Sequence, residues 1–297
     1  MQRRALLLSL GALAACGPKP LPPLPPAPRV TAPVDLIPSD LDVVVRLDLG
    51  RVKAALGAAT VSTLAGEVLA RGSAKQAADE LLIASLLEAD LVYLGYRPSR
   101  LGAPLDRVLA LQGHFAQLMH PPDGFSGATD LGADVRYWDA KVRPPREGVA
   151  RIYAFSDRLR AFSTEAEIDA LELRLAGGGG ARRLEPPAEG TLSFAARPAL
   201  LARLAGNGIL RDLLEGSKSL SAVADLESDG ARLKAELVLE SPDQATDLVS
   251  AGRLVLDKVL GDHASKLELR ADAERVLLDA RLSRNELLAL FAQARGD

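Results

Sequence analysis

Three stretches of this sequence repeat one order of features: a strand pattern, a turn, a second strand pattern, a Ser or Thr cap and a helix. They cover residues 149–176, 220–260 and 266–294. The stretches before each cap are rich in the apolar and β-branched or aromatic residues of strands, and Glu or Gln stands at the capping-box position of each helix. Hairpins followed by helices predict an α+β fold, with antiparallel sheets and helices packed on one face.

A strand pattern followed at once by a short helix occurs at 41–56 and again at 191–204. Together with the hairpin units, this repetition predicts two similar α+β halves, the first at 34–176 and the second at 190–297. Four consecutive glycines open the segment 177–189 between them. We interpret this segment as a flexible joint, because runs of glycine interrupt regular structure.

Composition limits the kinds of partner and the source of stability. The formal net charge is −3, and 48% of the residues are apolar, which is typical of a globular protein. A mildly acidic chain lacks the basic surface that nucleic acid requires, so we expect no nucleic-acid partner. Cys16 is the only cysteine. An internal disulfide is therefore excluded, and stability must come from packing.

The sequence contains no recognisable catalytic or metal-binding motif. The stretch beginning at Gly124 ends in Ala128 where the G-x-S-x-G motif requires glycine, and no strand pattern leads straight into it. The histidines His114, His120 and His263 lack the spacing and the cysteine partners of a zinc site. We therefore predict a protein that is not an enzyme, with no cofactor, no metal and no catalytic residue.

Nine of the eleven aromatic residues lie within residues 93–162 of the first half. They either fill the core, because Tyr and Phe favour strands, or contribute to a binding surface. If a binding site exists, we expect it on a surface loop at 116–139, beside a groove, because the second half has no counterpart to this stretch. The candidate binding residues are Phe125, Tyr137, Trp138 and His120.

The first fifteen residues have the order of an export signal. Arg3 and Arg4 precede an apolar run of eleven residues, which is shorter than the roughly 20 residues needed to cross a bilayer. The run ends in Leu13-Ala14-Ala15-Cys16, which resembles the lipobox of bacterial lipoproteins. The resemblance implies that a signal peptidase removes residues 1–15 and that Cys16 becomes the lipidated first residue, carrying acyl chains such as palmitate.

Residues 16–33 are predicted to connect this lipid anchor to the folded part. Eight prolines in this stretch favour an extended polyproline II tether. The resemblance to lipoproteins implies a protein of the cell envelope, held at the membrane by its lipid. Gly17 stands where an Asp would retain a lipoprotein at the inner membrane, so we expect the outer membrane, facing either the periplasm or the cell surface.

Near its start, the globular part contains Ile37-Pro38-Ser39-Asp40 and the strand pattern that ends at Asp48. This opening and the hairpin–helix units resemble uncharacterised envelope lipoproteins of GC-rich bacteria such as myxobacteria. This resemblance implies no particular activity. Our leading hypothesis is a non-catalytic, lipid-anchored envelope protein that binds an envelope partner or has a structural role. The alternatives are a carrier of an apolar ligand in a cavity between sheet and helices, and an enzyme without a recognisable motif.

Overall fold

The predicted signal peptide, Cys16 and most of the tether lie outside the part of the chain that can be described. The same holds for most of the last predicted helix, at 284–294. The structure, a computed structural model, describes residues 30, 32–63, 77–97, 106–116, 118, 120–127, 129–130, 135–144, 148–177, 184–200, 211, 216–227, 229–260, 267–283 and 285–286.

Twelve strands form one antiparallel sheet, and together with the helices they give a mixed α+β architecture. The order across the sheet is β11-β12-β10-β9-β8-β1-β2-β3-β7-β6-β5-β4. The strands are β1 Val43–Asp48, β2 Ala89–Arg97, β3 Asp106–Gly113, β4 Thr129–Asp130, β5 Arg136–Asp139, β6 Arg151–Ala154, β7 Leu159–Ser163, β8 Leu192–Ala196, β9 Ser219–Glu227, β10 Gly230–Val238, β11 Leu267–Asp272 and β12 Arg275–Ser283.

Four α-helices and two short 3₁₀ helices with defined ends accompany the sheet, and residues 58–63, 198–200 and 285–286 are also helical. None of these helices has both the length and the apolar character that crossing a bilayer requires. The helices are α1 Leu49–Leu56, α2 Ala77–Glu88, α3 Ile168–Leu175 and α4 Pro242–Leu260, and the 3₁₀ helices are Pro33–Leu36 and Glu165–Glu167.

The two predicted halves meet in the middle of the sheet, where β1 pairs with β8. Val43 stands opposite Ala196, and Leu47 stands opposite Leu192. The backbone N–H of Asp48 donates to the carbonyl oxygen of Thr191 at 2.8 Å, just beyond the ladder. The predicted hairpins β6–β7, β9–β10 and β11–β12 are confirmed, and all of their strands belong to the same sheet.

Helices pack on both faces of the sheet in the first half, so the prediction of helices on one face is wrong. Successive residues of a strand point to opposite faces. In β6, Ile152 belongs to a buried cluster that Leu82 of α2 packs against, whereas Tyr153 belongs to another cluster, which includes Leu171 of α3. Because both faces of the central strands are apolar, each face needs a helical cover.

In the second half, only one face of the sheet is apolar. Leu248 and Val249 of α4 pack on Leu237 and Val276 of the neighbouring strands β10 and β12. The alternate residues of β10, which point to the other face, include the exposed Lys234. This charged face therefore distinguishes the second half from the first.

Two of the three predicted helix caps involve the expected side chains. The carboxylate of Glu286 accepts from the backbone N–H of Ser283 at 2.7 Å, and the N–H of Glu286 donates to Ser283 Oγ at 3.4 Å. At α4, the N–H of Gln244 donates to Ser241 Oγ at 3.3 Å. The Gln244 side chain accepts from the N–H of Glu240, one residue earlier than a capping box requires.

The capping box predicted at Thr164 and Glu167 is wrong. The backbone N–H of Thr164 donates to the carbonyl oxygen of Arg107, and the Glu167 side chain turns into the protein. There its carboxylate accepts from Arg97 Nε at 2.8 Å. The carboxylate that the local sequence predicts to cap the helix therefore pairs with a cation of the distant strand β2 instead.

Candidate functional site

The predicted binding loop folds back onto the end of β5. The N–H of Phe125 donates to the carbonyl oxygen of Pro122 at 3.0 Å, and the N–H of Lys141 donates to that of Gly124 at 2.8 Å. Phe125 also forms an isolated antiparallel bridge with Ala140. These backbone contacts turn the Phe125 side chain inward, where only 3% of its surface is exposed.

Trp138 is the largest fully buried side chain of the described residues, with 1% of its surface exposed. It lies opposite Ile152 in β6 and in the same buried cluster as Phe125. The expectation that Phe125 and Trp138 stand at an exposed loop edge is therefore wrong. These two aromatics fill the core, as the alternative interpretation of the aromatic residues predicts.

Tyr137 points to the opposite face of β5 and is half-buried. The guanidinium carbon of Arg151 lies 4.0 Å from the centre of its ring. Arg151 also donates to both carboxylate oxygens of Asp139, at 2.6 and 3.2 Å, and to Glu172 of α3. This arrangement joins α3 to the sheet through paired charges, and the aromatic ring covers the cation.

Tyr153 lies beside Tyr137, and the centres of the two rings are 5.9 Å apart. Burial raises the pKa of Tyr153 to about 12, although Arg151 opposes the shift. The phenol therefore stays protonated at neutral pH. In this position it packs in the buried cluster that contains Leu171 of α3.

His120 is exposed, as are the neighbouring Pro121 and Asp123. The structure thus separates the four candidate residues: Phe125 and Trp138 lie in the core, Tyr137 lies on the other face of the sheet, and His120 lies at the surface. They do not form one surface, and a binding role for His120 and Tyr137 stays a prediction.

Ser126, from the stretch that departs from the G-x-S-x-G motif, has a structural contact. Its hydroxyl donates to the carbonyl oxygen of Asp139 at 3.2 Å, and its backbone N–H donates to the same oxygen at 2.7 Å. Both groups hold the loop against β5. This geometry supplies no activated nucleophile at Ser126.

Arg160 in β7 is a buried cation that sequence reasoning missed. Its guanidinium donates to Ser85 Oγ of α2 at 2.9 Å and to the carbonyl oxygen of Ala116, and it covers the ring of Phe115 at 4.7 Å. Burial lowers the pKa of Arg160, and the charge of Glu88 opposes this shift. A charged residue inside an apolar strand pattern is the sequence feature that indicates such a contact.

A groove of about 400 Å³ lies on the charged face of the second half and is bordered by Glu189 from the predicted joint. Arg232, beside it, donates to both carboxylate oxygens of Asp279, at 3.2 and 2.6 Å. These hydrogen bonds hold the pKa of Asp279 below its usual range. The lining also includes Lys234, so this groove is unlike the apolar chamber that a carrier of an apolar ligand needs.

Within the described residues, no group of three or more His, Cys, Asp or Glu side chains is placed to hold a metal ion. Independence from metal stays a prediction for the whole chain. We expect a chelator to leave the melting temperature of the protein unchanged, because the buried clusters consist of apolar side chains. Calorimetry with and without the chelator measures this, and a large fall in the melting temperature would reveal a structural metal.

Comparison with known proteins identifies a shared fold and no family. No protein-family model matches the chain, and no curated protein matches it. The chain is similar in fold to TP0453. Crystal form I of TP0453 gives a TM-score of 0.54 at 11% identity, covering 90% of this chain and 99% of that chain. Crystal form III gives 0.53 at 11% identity, covering 89% and 99%. At this identity the likeness to TP0453 shows the fold alone.

Proposed function

We propose that this protein is a lipid-anchored component of the bacterial cell envelope, that it is not an enzyme, and that it binds an envelope partner or has a structural role. The observation that carries the proposal is the lipobox-like Leu13-Ala14-Ala15-Cys16, followed by the proline-rich tether. The two or three acyl chains of a lipoprotein suffice for stable anchoring, which a single chain does not give.

The fold begins inside the predicted tether, since Pro33 is buried and opens a 3₁₀ helix. Val30 and Val34 pack against the buried cluster that contains Leu36 and Ile37. Val30 and Pro33 therefore belong to the fold, and the tether is shorter than predicted. A mechanical load applied through the anchor would reach a packed part of the fold.

The strand order supports the finer proposal that the two halves are related. Moving outward from the central pair, the first half has β1, β2, β3, β7 and β6, and the second half has β8, β9, β10, β12 and β11. In each series a single central strand is followed by a hairpin and then by a second hairpin. In the second hairpin, the strand that comes later in the chain lies nearer the centre of the sheet. We propose that β4, β5 and the loop before them are the specialisation of the first half, and that its exposed tip near His120 contacts the partner.

Lipidation is tested by Cys16→Ser in cells fed a labelled palmitate analogue. We expect the wild-type protein to incorporate the label and the variant to remain an unlabelled, uncleaved precursor, because its serine cannot form the thioether. Gly17→Asp is the matched control, since it keeps the cysteine. This control should be labelled but sort to the inner membrane in a host that follows the Asp rule. Normal labelling of Cys16→Ser would refute the anchor.

A further inference from the structure

Strand β11 forms one end of the sheet, and among the described residues no strand pairs with its outer side. A two-residue loop connects it to β12, with Asp272 opposite Arg275. In such a hairpin the residues next to the loop form a hydrogen-bonded pair, and the pattern alternates along the strand. Leu267, Leu269 and Ala271 therefore direct their backbone N–H and C=O groups outward.

The contact of Arg253 is consistent with this assignment. Its guanidinium, at the surface of α4, donates to the carbonyl oxygen of Leu269 at 2.9 Å. A carbonyl oxygen has two lone pairs, so it can accept a second hydrogen bond. Among the described residues, this regular strand edge has no paired strand, and such an edge is a template for pairing with another strand.

The side chains of β11 are complementary to those of a second, antiparallel β11. Glu268 and Arg270 project from the charged face, with 71% and 59% of their side-chain surface exposed and with 3.7 Å between carboxylate and guanidinium. If Leu269 stands opposite Leu269 of a second copy, Glu268 of each chain faces Arg270 of the other. These are non-hydrogen-bonded pairs, in which the side chains approach most closely.

The two nearest registers with the same faces aligned place like charges together. A shift of the pairing by one residue on each strand puts either Glu268 opposite Glu268 or Arg270 opposite Arg270, and directly opposed like charges destabilise a sheet. In the sequence, Lys266 and Asp272 continue the complementary order on either side of this pair. The charge pattern therefore favours this register over its two nearest neighbours.

We propose that β11 pairs with β11 of a second copy of this chain in that register, so that the sheets of two copies join into one. The pairing surface is the backbone of Leu267, Leu269 and Ala271 together with Glu268 and Arg270. The lipid anchor is not required for this contact, although attachment to a common membrane would raise the effective concentration of the two chains.

A set of charge reversals tests the proposal on the full-length chain in detergent micelles, by sedimentation over a range of concentrations. Each dimer contains two copies of the pair, so Arg270→Glu or Glu268→Arg replaces two attractions by two repulsions. We expect either single variant to raise the dissociation constant of the dimer about tenfold or more. The double variant restores opposite charges, and its dissociation constant should return to within about threefold of the wild-type value.

The matched control is Lys234→Glu, a charge reversal on the same face but two strands away from the edge. It should leave the dissociation constant unchanged. A wild-type chain that stays monomeric overturns the proposal, and so does a dimer that survives both single reversals. A monomer that binds an extended peptide of another protein at β11 would likewise overturn pairing with a second copy.

Disulfide cross-linking provides a test that does not depend on charge. When every chain carries both Glu268→Cys and Arg270→Cys, residue 268 of each copy lies opposite residue 270 of the other. Two disulfides can then join the paired strands, because Cα atoms of a non-hydrogen-bonded pair are about 4.5 Å apart. We expect oxidation in membranes to give a linked dimer from this variant and little from Lys234→Cys. Equal yields from the two variants would mean random collision and would refute the register.

Discussion

Replacing Trp138 with alanine should lower the free energy of unfolding by about 3–5 kcal/mol, as expected for removal of a large buried aromatic side chain. Only 1% of Trp138 is exposed, and its cluster includes Ile152 and Phe162 of the neighbouring strands. Since these neighbours belong to a regular sheet, they cannot move far enough to fill the cavity. Chemical denaturation followed by circular dichroism measures the loss.

Two surface substitutions provide the controls. His120→Ala and Val142→Ala remove exposed side chains, and each should change the free energy of unfolding by less than about 0.5 kcal/mol. A Trp138→Ala variant as stable as these controls would mean that the tryptophan is at the surface. It would then return to the list of candidate binding residues.

Replacing Arg97 with methionine should also lower the free energy of unfolding by about 3–5 kcal/mol, because it leaves a buried carboxylate without its cation. The side chain of Glu167 is only 2% exposed, and Arg97 donates to it at 2.8 Å. Arg97 also donates to Asp40 at 2.5 Å. The double variant Arg97→Met, Glu167→Met removes the buried carboxylate together with its partly exposed partner, so it should recover much of the lost stability.

The loss of folding stability caused by Arg97→Met should depend on pH. Burial raises the pKa of Glu167, and Arg97 opposes that shift, so the variant raises the folded-state pKa further. Below the unfolded-state pKa of about 4.3, a carboxyl whose folded-state pKa is raised is protonated in both the folded and the unfolded protein, so it does not affect stability. As the pH rises above this value, the unfolded protein loses this proton more readily than the folded protein does, and the fold is destabilised. The difference in stability from wild type should therefore be smallest near pH 4 and grow towards neutral pH. A difference that does not vary with pH would mean that Glu167 remains solvated.

The sequence by itself determined the local elements of this protein. The turn signal Asp229-Gly230 between two strand patterns predicted the hairpin β9–β10, and Pro242 after Ser241 predicted the start of α4; both are confirmed. These features depend on residues close together in the chain, so local patterns contain the necessary information. The interpretation of Cys16 as a lipid anchor also comes from sequence alone and stays a prediction.

Only the tertiary structure decided which face each side chain occupies and which distant partner it meets. Tyr137 and Trp138 are adjacent and both aromatic, yet one packs beside Arg151 and the other fills the core. Glu167 has the spacing of a helix cap but pairs with Arg97, seventy residues away in sequence. Burial and ion pairing depend on contacts between remote segments, and the free energies of these contacts exceed that of a local helix cap. The alternation of apolar and polar residues along a strand does not specify which remote segments meet.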